Sequence, residues 1–221
     1  MYRVFLLSPA QSGGRRAEML FNPRAGFALA QSLQRGEPHA VAEIFSFLSG
    51  LYFRGKCAYA KAFARPPRGK SGGWVITPSR GLLPLEEPIQ LAELREFASV
   101  PIDEDEPRYT GPLRAAAARL AAYRDTEFVL LGSISTGKYV TVLLEALGDR
   151  LLFPSDFVGR GDMSRGGLLL RSVRDEAELS YTRVRGALLR GARPPKLAPQ
   201  TWVGTPWDLR APKGAAPRRR A

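Results

Sequence analysis

Four short apolar runs, separated by stretches with helical periodicity, constrain the fold of this chain more than any other feature. Continuous apolar character over so few residues is typical of strands that are covered on both faces, as in parallel sheets. The stretches between them are long enough for crossover helices. The sequence therefore predicts an α/β fold: a single compact domain over 1–185 with a central, mostly parallel sheet flanked by helices. The predicted strands are 2–7, 74–77, 127–131 and 151–154, and the predicted helices include 15–21, 25–35, much of 39–64, 112–124 and 138–147.

The loops that follow these runs are rich in Gly, Ser and basic residues, and they cover 8–14, 77–82, 132–138 and 159–166. The carboxyl ends of parallel strands meet at one edge of a sheet, where α/β proteins bind ligands. We therefore expect the loops to converge on a pocket that accepts an anion or a nucleotide. The predicted nucleotide- or DNA-binding residues are Ser8, Ser79, Arg80, Ser133, Lys138, Tyr139, Arg160, Gly161 and Arg165.

The last of these loops, from Gly159 to Gly167, combines four glycines with two arginines. Glycines let a backbone approach a ligand closely, and arginines hold phosphates or carboxylates with a planar set of donors. The other interpretation is a surface turn before the next element. Asp162 lies between the two arginines, which favours an ion pair, and it is also the candidate catalytic carboxylate, as a general base.

The segment Gly132-x-x-x-x-Gly137-Lys138 resembles a phosphate-binding P-loop, since it follows a predicted strand and opens a helix. Tyr139 occupies the position where a P-loop needs Ser or Thr for magnesium, and no later strand ends in an Asp. A P-loop-like nucleotide binder is therefore the weakest of the functional alternatives. The free amides of a helix N-terminus could still hold one anion here.

Basic residues are concentrated in two places. Residues 183–221 contain ten Lys and Arg against one acid, and 54–80 contain seven against none, within a net charge of +12. A basic Pro/Arg-rich tail over 186–221, extended or disordered, suits a polyanion such as DNA, although such tails can also simply be solvated. Arg65, Arg68 and Lys70 are the predicted contacts to the DNA backbone. The acidic block 86–106 is predicted to be an exposed connection.

The composition excludes several classes of site. A single Cys57 and a single His39 permit no intramolecular disulfide and argue against a zinc site built on Cys and His. No metal and no cofactor is expected. No apolar stretch is long enough to span a membrane, and the first apolar run is too short for a signal peptide. We expect a cytoplasmic protein without a membrane partner, and the oligomeric state stays open.

Four motifs carry a resemblance to a known family: Leu7-Ser8-Pro9-Ala10, then Arg80 to Leu85, then Leu131-Gly132-Ser133 with Tyr139, and finally Arg160-Gly161-Asp162-Met163-Ser164-Arg165. In their order and spacing they resemble the YaaA peroxide-stress family and its wider bacterial relatives. The resemblance covers roughly 4–171 in patches. It implies a DNA-glycosylase-like α/β arrangement with a pocket for a base or nucleotide, and a DNA-binding protein that limits oxidative damage.

Two main hypotheses follow. The first is a DNA-binding protein linked to oxidative stress or to protection from DNA damage, with nucleic acid as its partner, DNA rather than RNA. The second is an enzyme that acts on a nucleobase or nucleotide, of the glycosylase or base-modifying type. In the second, Arg160, Arg165 and Ser133 would orient the ligand and Asp162 would act as the base.

Overall fold

The computed structural model describes residues 1–135, 137–187, 191–192 and 194–197. Its strands are β1 (Tyr2–Leu7), β2 (His39–Ala40), β3 (Gly73–Thr77), β4 (Gly81–Pro84), β5 (Pro88–Ile89), β6 (Thr126–Leu131), β7 (Leu151–Pro154) and β8 (Tyr181–Arg183). Its α-helices are α1 (Arg15–Phe21), α2 (Ala28–Gln34), α3 (Val41–Ser49), α4 (Leu51–Phe63), α5 (Leu91–Ser99), α6 (Pro107–Ala121), α7 (Gly137–Leu147) and α8 (Asp162–Arg174).

A six-stranded sheet with the order β4-β3-β1-β6-β7-β8 forms the centre of the protein. β1 pairs in parallel with β3 on one side and with β6 on the other, and β7 continues the parallel set beyond β6. The edge strands β4 and β8 run antiparallel to their neighbours. The predicted α/β fold, with a mostly parallel sheet flanked by helices, is confirmed.

Burial explains why the first apolar run becomes the central strand. Val4, Phe5, Leu6 and Leu7 are all 0% exposed, so both faces of β1 are covered. The ring of Phe5 meets that of Tyr59, on α4, edge to face at 5.5 Å. α4 packs on β1 and β3, and it also packs against α8. α6 packs on β3 and β4, and it also packs against α7. Tyr59 itself is fully buried.

The loop predicted at 77–82 is shorter in the structure, where only 78–80 form a turn before β4 begins at Gly81. The chain turns after Thr77 and returns as β4, because Gly81 adopts a positive φ of 66° that allows a tight reversal. The Thr77 hydroxyl closes the hairpin by donating to the carbonyl oxygen of Gly81 at 2.9 Å. A Cβ on Gly81 would overlap the carbonyl oxygen of Pro112, so this turn packs directly on α6.

The acidic block is also folded, contrary to prediction. It contains β5 and α5, and α5 buries Leu91, Leu94 and Phe97 on one face. Gln90 and Glu93 form a reciprocal capping box that satisfies the free amides of the first turn of α5. The acidic side chains stand on the outer face of an amphipathic helix, which a count of charges alone does not show.

Three further features of the fold differ from prediction. α6 starts at Pro107, with Pro112 inside the helix and not in its first turn. The segment predicted as a glycine-rich loop up to residue 166 becomes helical at Asp162. β8 was not predicted at all, because its three residues carry no apolar run. The predicted basic tail lies outside the described residues, except for 186–187, 191–192 and 194–197.

α4 and α8 approach so closely that their backbones touch. A Cβ on Gly55 would lie 2.9 Å from the carbonyl oxygen of Gly166, and a Cβ on Gly166 would lie 2.9 Å from the Cα of Tyr52. The two glycines remove the side chains that would otherwise separate the helices. This contact holds the first turn of α8 beside the residues of α4 that line the site described below.

We expect Gly166→Ala to lower the free energy of unfolding by about 1–3 kcal/mol, since the added methyl group can only be accommodated by separating two backbones. Gly167→Ala, one residue further along the same helix, is the matched control. Its Cβ would meet only the Leu197 side chain at 3.6 Å. The control should stabilise the protein by up to about 1 kcal/mol through helix propensity. Urea denaturation of both variants measures the difference, and equal effects would contradict the backbone contact.

Candidate functional site

A cavity of about 560 Å³ opens at the carboxyl edge of the central sheet. The strand-end segments after β1, β3 and β6 contribute to its lining, and Asp162 at the start of α8 completes it. One wall is apolar and comes from the end of α5 and the segment after it. The other wall carries hydroxyl groups and a lysine. The polar lining residues are Ser8, Gln11, Ser12, Ser49, Tyr52, Ser133, Lys138, Tyr139 and Asp162, and the apolar wall includes Phe97, Val100 and Ile102.

Lys56 lies directly behind this cavity and is 1% exposed. Its Nζ donates to the carbonyl oxygen of Ser8 at 2.6 Å and lies 2.9 Å from the Ser8 Oγ. The rings of Tyr52 and Phe53 cover the amine at 4.5 and 4.6 Å. Among the described residues, no carboxylate forms a salt bridge with Lys56. Burial lowers the pKa of Lys56 to about 7, and the nearby Cys57 and Asp162 only partly offset this.

Ser8 connects the buried amine to the cavity. It is 6% exposed and lines the cavity. The Tyr139 hydroxyl lies close enough to interact with the Ser8 side chain, and it donates to the carbonyl oxygen of Ser133 at 2.9 Å. A Cβ on Gly132 would lie 2.8 Å from the Ser8 Cβ and 3.0 Å from the Tyr139 hydroxyl, so only glycine fits there without displacing them. Lys56, Ser8, Tyr139 and Ser133 therefore form one continuous polar chain.

Tyr52 places a second polar group at the cavity. The side chain is 6% exposed, and its hydroxyl makes no hydrogen bond of good geometry among the described residues. Burial raises the pKa of Tyr52, and Arg165, which is close enough to interact with the hydroxyl, acts in the opposite direction. A buried hydroxyl that is poorly hydrogen-bonded costs free energy.

Of the predicted site residues, Ser8, Ser133, Lys138, Tyr139 and Asp162 lie together around this cavity. Lys138 is exposed at the rim, and Asp162 keeps 70% of its side chain exposed while pairing with Arg165 at 3.4 Å.

Ser79 and Arg80 lie outside the cavity, because acids on α5 engage both. The Ser79 hydroxyl donates to Glu96 at 2.6 Å, and the Arg80 guanidinium bonds to Glu96 at 2.8 Å and to Glu93 at 3.3 Å. These contacts fasten the β3–β4 hairpin to α5. In this arrangement the Arg80 guanidinium donates its hydrogen bonds to Glu93 and Glu96 and not to a ligand.

The arginines of the last predicted loop also have local roles. Arg165 donates twice to the carbonyl oxygen of Phe157, at 3.1 and 3.3 Å, and fixes the start of α8 to the short 3-10 helix Ser155–Phe157. Arg160 donates to the carbonyl oxygen of Asp156 at 3.0 Å. Arg160 and Gly161 line a second cavity, of about 640 Å³, between the start of α8 and residues 194–197.

The P-loop-like segment meets a carboxylate of the chain itself. A Cβ on Gly137 would overlap the carboxylate of Glu104, so Glu104 lies where an anion would approach the first turn of α7. A helix N-terminus favours such a negative charge, and Glu104 supplies it here. Thr136, within this segment, is outside the described residues. A carboxylate of the chain itself therefore lies beside the helix start that was expected to hold an anion.

Arg65, Arg68 and Lys70 lie at the opposite, amino edge of the sheet, since Arg65 bridges to Arg3 at the start of β1. Arg65 pairs with Glu178 at 2.8 Å, and Glu178 also pairs with Arg3 at 2.6 Å. Within the part of the chain that the structure describes, no carboxylate pairs with Arg68 or Lys70, and both are exposed. The basic loop and the cavity are therefore separate features.

Lys56 and Tyr52 were not predicted as site residues. Four positions separate them, so they lie on one face of α4, and the aromatic periodicity of this helix indicated only a core element. A lysine within an otherwise apolar helical face was the available signal, because unpaired lysine is almost never fully buried without a role.

Two further findings bear on the class of protein. Over residues 1–135, 137–187, 191–192 and 194–197, no cluster of three or more His, Cys, Asp or Glu side chains could hold a metal ion. No helix in those ranges has the length and apolar character to cross a bilayer. No family model, curated protein or solved structure matches this chain.

The burial of Lys56 predicts a pH dependence of stability. Below pH 7 the amine is protonated in both states, and the cost of burying the charge is fully present. Between the folded pKa of about 7 and the ordinary value of 10.5, only the unfolded chain binds the proton, so the free energy of unfolding rises with pH. We expect a rise on the order of 1 kcal/mol per pH unit between about pH 7 and 9, relative to Lys56→Met.

Urea denaturation of both proteins across that range measures the difference. Lys61→Met is the matched control, because Lys61 is exposed on the same helix. The control should follow the wild-type pH profile. Parallel profiles for the wild type and Lys56→Met would show that Lys56 titrates as an ordinary surface lysine.

Proposed function

We propose that the protein binds a small molecule of the nucleobase or nucleoside kind in the cavity at the carboxyl edge of the sheet, and acts on it as an enzyme. The observation that carries the proposal is a cavity at the ends of three strands that is apolar on one side and lined by Ser8, Tyr52 and Ser133 on the other. A cavity of about 560 Å³ lies within the range of small-molecule sites.

The two walls suit a flat ring with hydrogen-bonding groups along one edge. Phe97, Val100 and Ile102 offer apolar surface for the faces of a ring. The hydroxyls of Tyr52 and Ser133 can each donate or accept on the opposite side. Purine and pyrimidine bases combine both properties. Asp162 at the rim is placed to accept a proton from a polar group of such a ligand.

We expect Tyr52→Phe to weaken ligand binding roughly three- to tenfold, because one hydrogen bond to the ligand is lost. The same change should leave the free energy of unfolding unaltered or raise it by up to about 1 kcal/mol, since a poorly hydrogen-bonded hydroxyl leaves the interior. A panel of nucleobases and nucleosides, screened by thermal shift and followed by calorimetry, supplies the ligand.

Tyr109→Phe is the matched control for that experiment. Tyr109 is also buried, and its hydroxyl has no hydrogen-bond partner among the described residues, but it does not line the cavity. Removing the Tyr109 hydroxyl should change the free energy of unfolding in the same direction as Tyr52→Phe does, and it should leave ligand affinity unaltered. If no member of the panel binds, or if both variants bind equally well, the proposed ligand class is wrong.

DNA binding is a second proposal, and the observation that favours it is the pair of exposed cations, Arg68 and Lys70, without a carboxylate partner in the described part of the chain. Net charge of +12 supports it through counterion release at phosphates. The stress-related role remains a proposal that rests on the sequence resemblance. On this reading the amino edge would grip the DNA backbone, away from the cavity.

For DNA binding we expect the double variant Arg68→Ala, Lys70→Ala to lower duplex affinity and to reduce the slope of log K against log salt by about 2. Fluorescence anisotropy with a labelled duplex over a salt series measures both quantities. The double variant Arg35→Ala, Arg108→Ala removes the same charge from cations already paired with Glu37 and Glu106. If both double variants change the slope equally, only net charge matters and the amino edge is no interface.

A further inference from the structure

We propose that Ser8 is a catalytic nucleophile and Lys56 its general base, and that the cavity hydrolyses or transfers the acyl group of a small carboxylic ester or activated amide. The proposal concerns the same cavity as the proposed function, but it goes beyond it and does not depend on the ligand class proposed there. It names a reaction and the groups that perform it.

The geometry of the two side chains meets the first requirement. The Lys56 Nζ and the Ser8 Oγ are 2.9 Å apart, within hydrogen-bond reach for proton transfer. A second bond, from the same Nζ to the carbonyl oxygen of Ser8 at 2.6 Å, fixes the amine relative to the hydroxyl. Ser8 thereby orients the Lys56 amine that would accept its proton.

The surroundings of Lys56 meet the second requirement, which is a neutral amine near physiological pH. No described carboxylate pairs with it, and the rings of Tyr52 and Phe53 cover the side of the amine that faces α4. The titratable and charged groups facing the amine are Cys57 and Tyr52 on α4 and Asp162 and Arg165 on α8. Burial and the positive charge of Arg165 lower the pKa of the amine, Cys57 and Asp162 raise it, and the balance leaves it at about 7.

Access meets the third requirement. Ser8 lines the cavity and Lys56 lies directly behind its Oγ, so a substrate bonded to that oxygen comes next to the amine. Ala10, Gln11 and Ser12 line the cavity next to Ser8, and their backbone amides donate to no other group in the described chain. Such amides are the usual donors to an oxyanion.

The reaction balances without a further reactant except water. The Ser8 Oγ forms a bond to the carbonyl carbon, its proton passes to the Lys56 Nζ, and the carbonyl π electrons move onto oxygen. When the carbonyl re-forms, the bond to the leaving group breaks, and the leaving group takes the proton from Lys56. Water then repeats the attack on the Ser8 ester through the same base, and the Ser8 Oγ departs and recovers its proton.

A fluorophosphonate probe tests the nucleophile independently of the natural substrate. We expect intact-mass spectrometry to show one adduct, mapped by fragmentation to Ser8, and Ser8→Ala to abolish it. Ser99→Ala is the matched control. The Ser99 hydroxyl donates to the carbonyl oxygen of Glu96, and the residue does not line the cavity. Labelling of Ser99→Ala should equal that of the wild type, and wild-type protein that stays unlabelled would overturn the proposal.

Lys56 is tested by the rate of the same labelling reaction. Lys56→Met should slow labelling by at least about 100-fold, the lower end of the contribution of a general base. If this variant fails to fold, the wild type still decides the question. Its labelling rate should rise with pH and level off above the Lys56 pKa of about 7. A rate that instead keeps rising with hydroxide concentration through pH 9 would exclude Lys56 as the base.

The outcomes separate the two proposals. Labelling at Ser8 without binding of any nucleobase or nucleoside would retain the nucleophile and reject the ligand class. Nucleoside binding without labelling would do the reverse. Release of nitrophenol from p-nitrophenyl acetate by the wild type, lost in Ser8→Ala, would identify the acyl-transfer class directly.

Discussion

Parallel pairing of β1 with a neighbour on each side is the constraint on which the rest of the structure depends. Because β3 and β6 run in the same direction as β1, all three strands end at one edge of the sheet. Each chain connection must then cross a face of the sheet, which is why helices cover both faces. Ser8, Pro78 and Ser133 are distant in sequence, and the shared direction of their strands brings them to one cavity.

Much of this arrangement could be predicted from the sequence. The runs at 2–7, 74–77, 127–131 and 151–154 became strands because continuous apolar segments have no other way to be buried on both sides. Their order as a mostly parallel sheet followed from the helical stretches between them. The two edge strands of the central sheet, β4 and β8, were not predicted, each for a different reason. β4 was hidden in a segment rich in turn residues, and β8 is too short and too polar to be recognised.

The position of the candidate site could be predicted from the sequence, but only some of the residues that line it could. Sequence patterns identify strand ends, and Ser8, Ser133 and Tyr139 lie at the cavity as expected. They do not reveal which charged groups have already found partners within the chain. Arg80 was expected to meet a ligand, but it meets Glu93 and Glu96, acids that belong to a segment predicted to be exposed. Lys56 is the opposite case. Lysine usually lies at the surface, but this one is buried and pairs with no carboxylate among the described residues.

The direct backbone contact between Gly55 and Gly166 has a consequence for how the cavity can change shape. Tyr52 belongs to α4 and Asp162 belongs to α8, so this part of the polar wall stands on a pair of helices that cannot slide without a backbone clash. The apolar wall is built differently, on the last turn of α5 and the extended chain that follows it. Adjustment to ligands of different thickness is therefore easier on the apolar side than at Tyr52 and Asp162, which the two helices hold at a fixed separation.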